Sequence, residues 1–213
     1  MSFLALLLSL AAEAPQLWIG HQIVRGRREV PVLGTLETRT DTWVLAEVHR
    51  TDAQTIEIRE RPCRVRVAPA AGAHVTIPDA AVWQLPPVSV RYKSSASGWL
   101  AAPWVAGWDG RDHDKDGHPG LTIAVDAPLC GGQLHVASAA RSIARAQMVN
   151  GALAGEIKVR LAQRILGTEG VCLGVLASDS DERLTGRFAY APVPAESTCA
   201  SLERDGWLDR PLP

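Results

Sequence analysis

The chain has 213 residues, 46% of them apolar and 21% charged, and its 22 Lys and Arg nearly balance 23 Asp and Glu. That mixture excludes wholesale disorder, a collagen-like repeat and a polytopic membrane protein, and it lacks the basic excess that a nucleic-acid partner demands. The length suffices for one domain with a sizeable core.

Met1 to Ala14 contains the apolar run Phe3-Leu4-Ala5-Leu6-Leu7-Leu8 followed by small residues. This is the outline of a signal peptide, too short for a spanning helix of about 20 residues. We therefore expect export to the periplasm or beyond the cell, with residues 15–213 as one β-rich domain. Ala12-Glu13-Ala14 is an A-x-A cleavage site, and Ser9-Leu10-Ala11 is a second. Arg25, Arg27 and Arg28 read as a solvated arm near the mature terminus rather than as a binding patch. Cys63, Cys130, Cys172 and Cys199 allow up to two disulfides in an exported chain, with three possible pairings. Their wide scatter lacks the close paired spacing of structural zinc sites.

From Pro31 to Pro69 apolar and polar residues alternate, as in Trp43 to Val48, Thr55 to Arg59 and Cys63 to Val67. A period of two with β-branched residues predicts strands with one wet face. Ala73 to Ile77 and Val88 to Tyr92 read as two further short strands, giving an antiparallel sheet. Ser94 to Gly98 reads as a hairpin loop. Thr122 to Val125 reads as a strand, and Val171 to Ala177 and Arg187 to Val193 read as the last strands before a Pro-rich end.

Two patterns compete between Gly131 and Gly167. Leu153, Ile157, Leu161 and Ile165 recur at helical spacing, whereas Asn150-Gly151 signals a tight hairpin and Glu156 to Leu161 alternates. We take the hairpin, and with it an all-β antiparallel barrel or sandwich.

Residues 109–120 carry the pattern D-x-D-x-D-G at Asp112, Asp114, Asp116 and Gly117. Calcium is a hard cation that takes six or more oxygens, and alternate Asp residues in a tight loop turn several carboxylates toward one point. The stretch resembles the calcium loop of EF-hand proteins and its shortened extracellular relatives. The resemblance implies that Asp112, Asp114 and Asp116 ligate by side chain and His118 by its backbone carbonyl. It fails at two positions: Gly120 stands where a polar ligand would be, and Ile123 stands where a bidentate Glu would close the shell. Missing ligands would come from water, from Asp109 or Asp126, or from elsewhere in the sheet. So few carboxylates imply affinity of roughly 10⁻⁴ to 10⁻³ M. Rival readings are a bare Asp/Gly turn and a zinc or copper pair at His113 and His118. The wider chain is similar to uncharacterised exported β-rich proteins of Gram-negative bacteria that carry a D-x-D-x-D-G-x-P-G loop, a likeness that transfers no activity.

No G-x-S-x-G, S-x-x-K or H-E-x-x-H occurs, so nothing names a catalytic residue. A hydrolase would need a triad assembled without a motif, around His49, His74 or His135. The other alternative is a carbohydrate-binding module with a glycan or cell-envelope partner, using Trp99, Trp104 and Trp108 as a stacking platform beside the calcium loop. Rings coplanar on an open face would favour binding, and buried rings a structural role.

Overall fold

A computed structural model describes residues 15–30, 34–127, 130–170 and 172–209. The proposed signal segment lies outside the described residues. The protein is all-β, with 66% of the described residues in strands.

Strands β1 (Gln16–Val30), β2 (Gly34–Asp52), β3 (Thr55–Val67), β4 (His74–Thr76), β5 (Val88–Ser95), β6 (Gly98–Ala101), β7 (Trp104–Trp108), β8 (Leu121–Asp126), β9 (Gly132–Val149), β10 (Ala152–Glu169) and β11 (Ser180–Pro192) make one antiparallel sheet. Its order is β10-β11-β1-β2-β3-β5-β6-β9, and β9 pairs again with β10, so the sheet closes into a ring. Along the length of β9, three short strands in turn fill the place beside it: β6 against Ala146, β7 against Ser142 to Ser138, and β8 against Val136 to Gly132.

The two longest-paired strands, β9 and β10, are the predicted hairpin. Asn150 and Gly151 both take positive φ, 50° and 79°, the geometry of a two-residue turn whose twist matches the flanking strands. The every-fourth recurrence of Leu153, Ile157 and Leu161 was also an every-second one, with Val159 between them. All four point into the barrel.

Inward residues from every wall form the main core. Trp18 and Val24 of β1 meet Ile56 and Ile58 of β3, Val90 and Tyr92 of β5, Ile157 and Val159 of β10, and Phe188 and Tyr190 of β11. Burying one such side chain contributes about 1.5–3 kcal/mol. Outward positions carry charge, for example Arg141, Arg145, Glu156, Lys158, Arg160 and Arg187. Apolar inside and charged outside is the reverse of a lipid-facing barrel, whose outer band is apolar. Among the described residues no helix is long and apolar enough to cross a membrane.

Two attachments complete the barrel. The segment around α1 (Asp79–Val82) packs Ile77, Val82 and Leu85 against Leu121, Ile123 and Val136 at one end. On the outer wall, α3 (Cys199–Arg204) and the short turn Trp207–Asp209 set Leu202 and Leu208 on Ile19 and Trp43. Thr198 starts α3 with a capping box, its hydroxyl accepting from Ser201 N–H at 3.1 Å while the Ser201 hydroxyl accepts from Thr198 N–H at 2.8 Å. Cys63 at a bulge of β3 is bonded to Cys199, and Cys130 to Cys172.

Three expectations are corrected. In the predicted strand Val171 to Ala177, Val171 lies outside the described residues and the rest is not a strand: Leu173–Leu176 forms the short helix α2 beside the Cys172 bridge. Arg25, Arg27 and Arg28 are not an arm, because they lie within β1. There Arg28 reaches Gln163 at 3.0 Å and the Ser178 carbonyl at 3.1 Å. The Pro-rich end contains α3, which the bond to Cys63 holds on the wall.

Candidate metal centre

The loop of residues 109–120 joins β7 to β8, and both strands pair with β9, Trp108 opposite Ser138 and Leu121 opposite Val136. Its two ends therefore stand close together. His113 N–H donates to the Gly120 carbonyl and Gly120 N–H to the Arg111 carbonyl, each at 3.0 Å. Gly120 has φ 84°, and a Cβ there would lie 2.4 Å from the Val136 carbonyl oxygen. Glycine is thus required by both conformation and space. Gly120→Ala is expected to cost about 1–3 kcal/mol and to lower the melting temperature. An unchanged melting temperature would show that the loop does not sit on β9.

Within the loop the acids are held by backbone. Asp112 accepts from Asp116 N–H at 3.2 Å and Gly117 N–H at 3.0 Å. Asp114 Oδ2 accepts from Thr122 N–H, and Asp116 Oδ1 from His118 N–H, both at 2.9 Å. Positive φ at Lys115 and Gly117 makes the bend. One oxygen from each of Asp112, Asp114 and Asp116 falls within 4.8 Å of the others. Asp114 Oδ1 is buried and has no hydrogen-bond partner. The nearby Thr122 side chain is the largest influence holding the Asp116 carboxyl below its ordinary range; burial opposes it, and the His118 N–H and the His118 and His135 imidazoles add to it.

Other predicted ligands are engaged elsewhere. Asp109 accepts from Arg111 N–H at 3.0 Å and from the Arg111 guanidinium, and it pairs with His113 at 2.9 Å. These contacts, led by the Arg111 backbone N–H, hold its carboxyl well below the usual range. Asp126 sits at the far end of β8, opposite His74 of β4. Ile123 faces the core at 5% exposure, so it leaves the loop open where an EF-hand would place its closing carboxylate.

His113 and His118 part company. His113 turns to Asp109, while the His118 ring stacks on His135, centroids 4.2 Å apart and planes within 4°. Glu169 at the end of β10 stands beside both rings. His135 and Glu169 are 34 residues apart in a chain of 213, and only the β9–β10 register joins them. No local spacing signals that meeting.

The three Trp rings face inward, since Trp99, Trp104 and Trp108 pair with Ala146, Ser142 and Ser138 of β9. Trp99 and Trp104 pack against the main core and Trp108 against the end cluster, its indole N–H donating to the Val136 carbonyl at 2.6 Å. They fill the core and present no coplanar open face.

No protein-family model matches this sequence, and no curated protein does. A solved structure similar over part of its length is the crystal structure of Pseudomonas aeruginosa OccK2 (OpdF), with 12% identity and a TM-score of 0.18, over 84% of this chain and 61% of that one. The chain thus spans under two thirds of that protein, and a likeness at this level carries no argument.

Proposed function

We propose that this chain is an exported structural or binding barrel in which one calcium ion, held by Asp112, Asp114 and Asp116, clips the β7–β8 loop to β9. The observation that carries the reading is Asp114 Oδ1, a buried carboxylate oxygen without a partner, beside two more carboxylates whose oxygens lie within 4.8 Å. A buried acceptor left unpaired is costly, and clustered carboxylates repel. A hard divalent cation answers both, because calcium binds several oxygens at once.

The residues fit the ion's demands. Asp112 and Asp116 are already fixed by backbone N–H groups, so little ordering remains for the ion to impose. The backbone carbonyl of His118 supplies a fourth oxygen, as in the EF-hand loop that the segment resembles, and water completes the shell. With only three carboxylates the affinity falls in the extracellular range of roughly 10⁻⁴ to 10⁻³ M, which suits a structural clip better than a sensor. Two disulfides support export, since such bonds persist in oxidising compartments.

Calorimetry tests the proposal. An ion that binds only the folded chain, at nine times its Kd, adds about 1.4 kcal/mol of stability, or roughly 3–6 °C in a domain of this size. Wild type is expected to show that rise with calcium, and Asp114→Ala to show none. A rise that persists in Asp114→Ala would overturn the assignment.

A further inference from the structure

Apart from the Asp group, three side chains from three elements converge: His118 from the β7–β8 loop, His135 from β9 and Glu169 from β10. Their candidate ligand atoms all lie within 4.8 Å of one another. His118 Nε2 is 3.4 Å and His135 Nε2 3.5 Å from Glu169 Oε1. Ligands at about 2.0–2.1 Å from a tetrahedral zinc stand about 3.3–3.4 Å from each other. Around an octahedral metal with similar bonds, neighbouring ligands approach to about 3.0 Å. The two His–Glu separations match the tetrahedral case, and a turn of the partly exposed His118 ring out of its stack on His135 brings both imidazole lone pairs onto one ion.

His135 is the buried member of the group, 3% exposed, and its Nδ1 lies 3.0 Å from the Thr122 hydroxyl. With Nδ1–H donating to that hydroxyl, Nε2 keeps its lone pair on the side of Glu169. Gly167, directly opposite His135, makes room for the ring, since a Cβ there would fall 2.9 Å from His135 Cδ2.

We propose that His118, His135 and Glu169 form a zinc site with a fourth position open to water or to a small oxygen donor such as a carboxylate. Two imidazoles and one carboxylate are a borderline donor set suited to zinc, not to calcium. Thr122 is the outer partner that fixes the His135 tautomer, the usual device for aiming a ligating imidazole. The half-exposed side of Glu169 leaves the fourth position toward solvent. The site staples the β7–β8 loop to β9 and β10, and it stands independently of the calcium reading, because it uses the His118 imidazole rather than its carbonyl.

The test is a zinc titration by calorimetry on the full untagged chain, stripped of metal and held in saturating calcium, with cobalt(II) absorption as a second readout. One zinc per chain and a tetrahedral cobalt spectrum are expected. Thr122→Val should weaken zinc about 10–100-fold, and His118→Ala and Glu169→Gln, both at partly exposed residues, should weaken it further. Asp114→Ala should keep zinc binding while losing the calcium-induced rise. Absence of zinc binding by wild type, unchanged affinity in both His118→Ala and Glu169→Gln, or loss of zinc in Asp114→Ala would each overturn the proposal.

Discussion

Replacing Cys63 and Cys199 together by Ser is expected to cost about 5 kcal/mol, because a bridge spanning 136 residues removes that much chain entropy from the unfolded state. Domains of ordinary stability have only about 5–15 kcal/mol in total, so the variant should sit near the edge of folding. The loss has a local component as well. Without the bond, α3 depends on packing of Leu202 and Leu208 against Ile19 and Trp43, with Leu45, Ala191 and Val193 around them, and on the ion pairs of Arg64. Arg64 is 7% exposed and is paired with Asp79 at 3.0 Å, with Glu203 of α3, and with Asp209 at 3.6 Å. If the helix lifts, a buried guanidinium loses two of its acceptors. Urea unfolding of the pair Cys63→Ser with Cys199→Ser should show a much lower midpoint. The smaller loop closed by Cys130 and Cys172, 42 residues apart, should cost about 4 kcal/mol on the same reasoning. A midpoint that barely moves in the first variant would show that α3 holds by packing alone.

The second large effect concerns pH. The carboxyl of Glu60, on the lumen side of β3, is enclosed even though the residue as a whole keeps some exposure. It accepts a hydrogen bond from the Tyr190 hydroxyl, close to Tyr92. Burial pushes its pKa from 4.5 up to about 7, and the bond from Tyr190 only partly opposes this. A carboxyl whose folded pKa is raised binds its proton more tightly in the folded chain than in the unfolded one. Its contribution to stability is therefore complete below pH 4.5 and is lost as the pH rises to about 7. The shift is worth on the order of 3 kcal/mol.

Urea midpoints measured from pH 4 upward should fall for wild type relative to Glu60→Gln across that interval, and the gap should then level off. Glu60→Gln removes the titrating group, so it lacks this loss and gains on wild type as the pH rises to about 7. Burial lowers the His21 pKa from 6.5, so both proteins gain some stability as the pH rises through the interval, and the difference between the two profiles isolates Glu60. Asp116 and Asp181 have lowered carboxyls, so their loss of stability comes on the acid side. Parallel profiles for the two proteins would show that Glu60 is hydrated in the folded state.

Much of the frame was legible because its physics is local. Asn150-Gly151 fixed the long hairpin, and alternation marked β2 and β3. The spacing of Asp112, Asp114 and Asp116 marked the loop whose carboxylate oxygens do gather. What escaped was set by partners distant in sequence. Near its start strand β1 carries Leu17-Trp18-Ile19, which does not alternate because Trp18 faces the core while Ile19 lies under α3. Cys172 and the residues after it are apolar enough for a strand, yet the bridge to Cys130 and the short helix α2 occupy that stretch. The meeting of His135 with Glu169 and His118 depends on strand register, which a single chain's periodicity does not reveal.

Ring closure also sets the order of assembly. Trp18 of β1 pairs with Pro192 of β11, so this seam cannot be stitched until the ten strands up to β10 and β11 itself have been made. Contacts so remote in sequence make folding slow, on a scale of milliseconds to seconds. Until then β1 and β11 each present an open edge to other chains. Shielding those two edges during synthesis therefore protects the chain at its most association-prone stage.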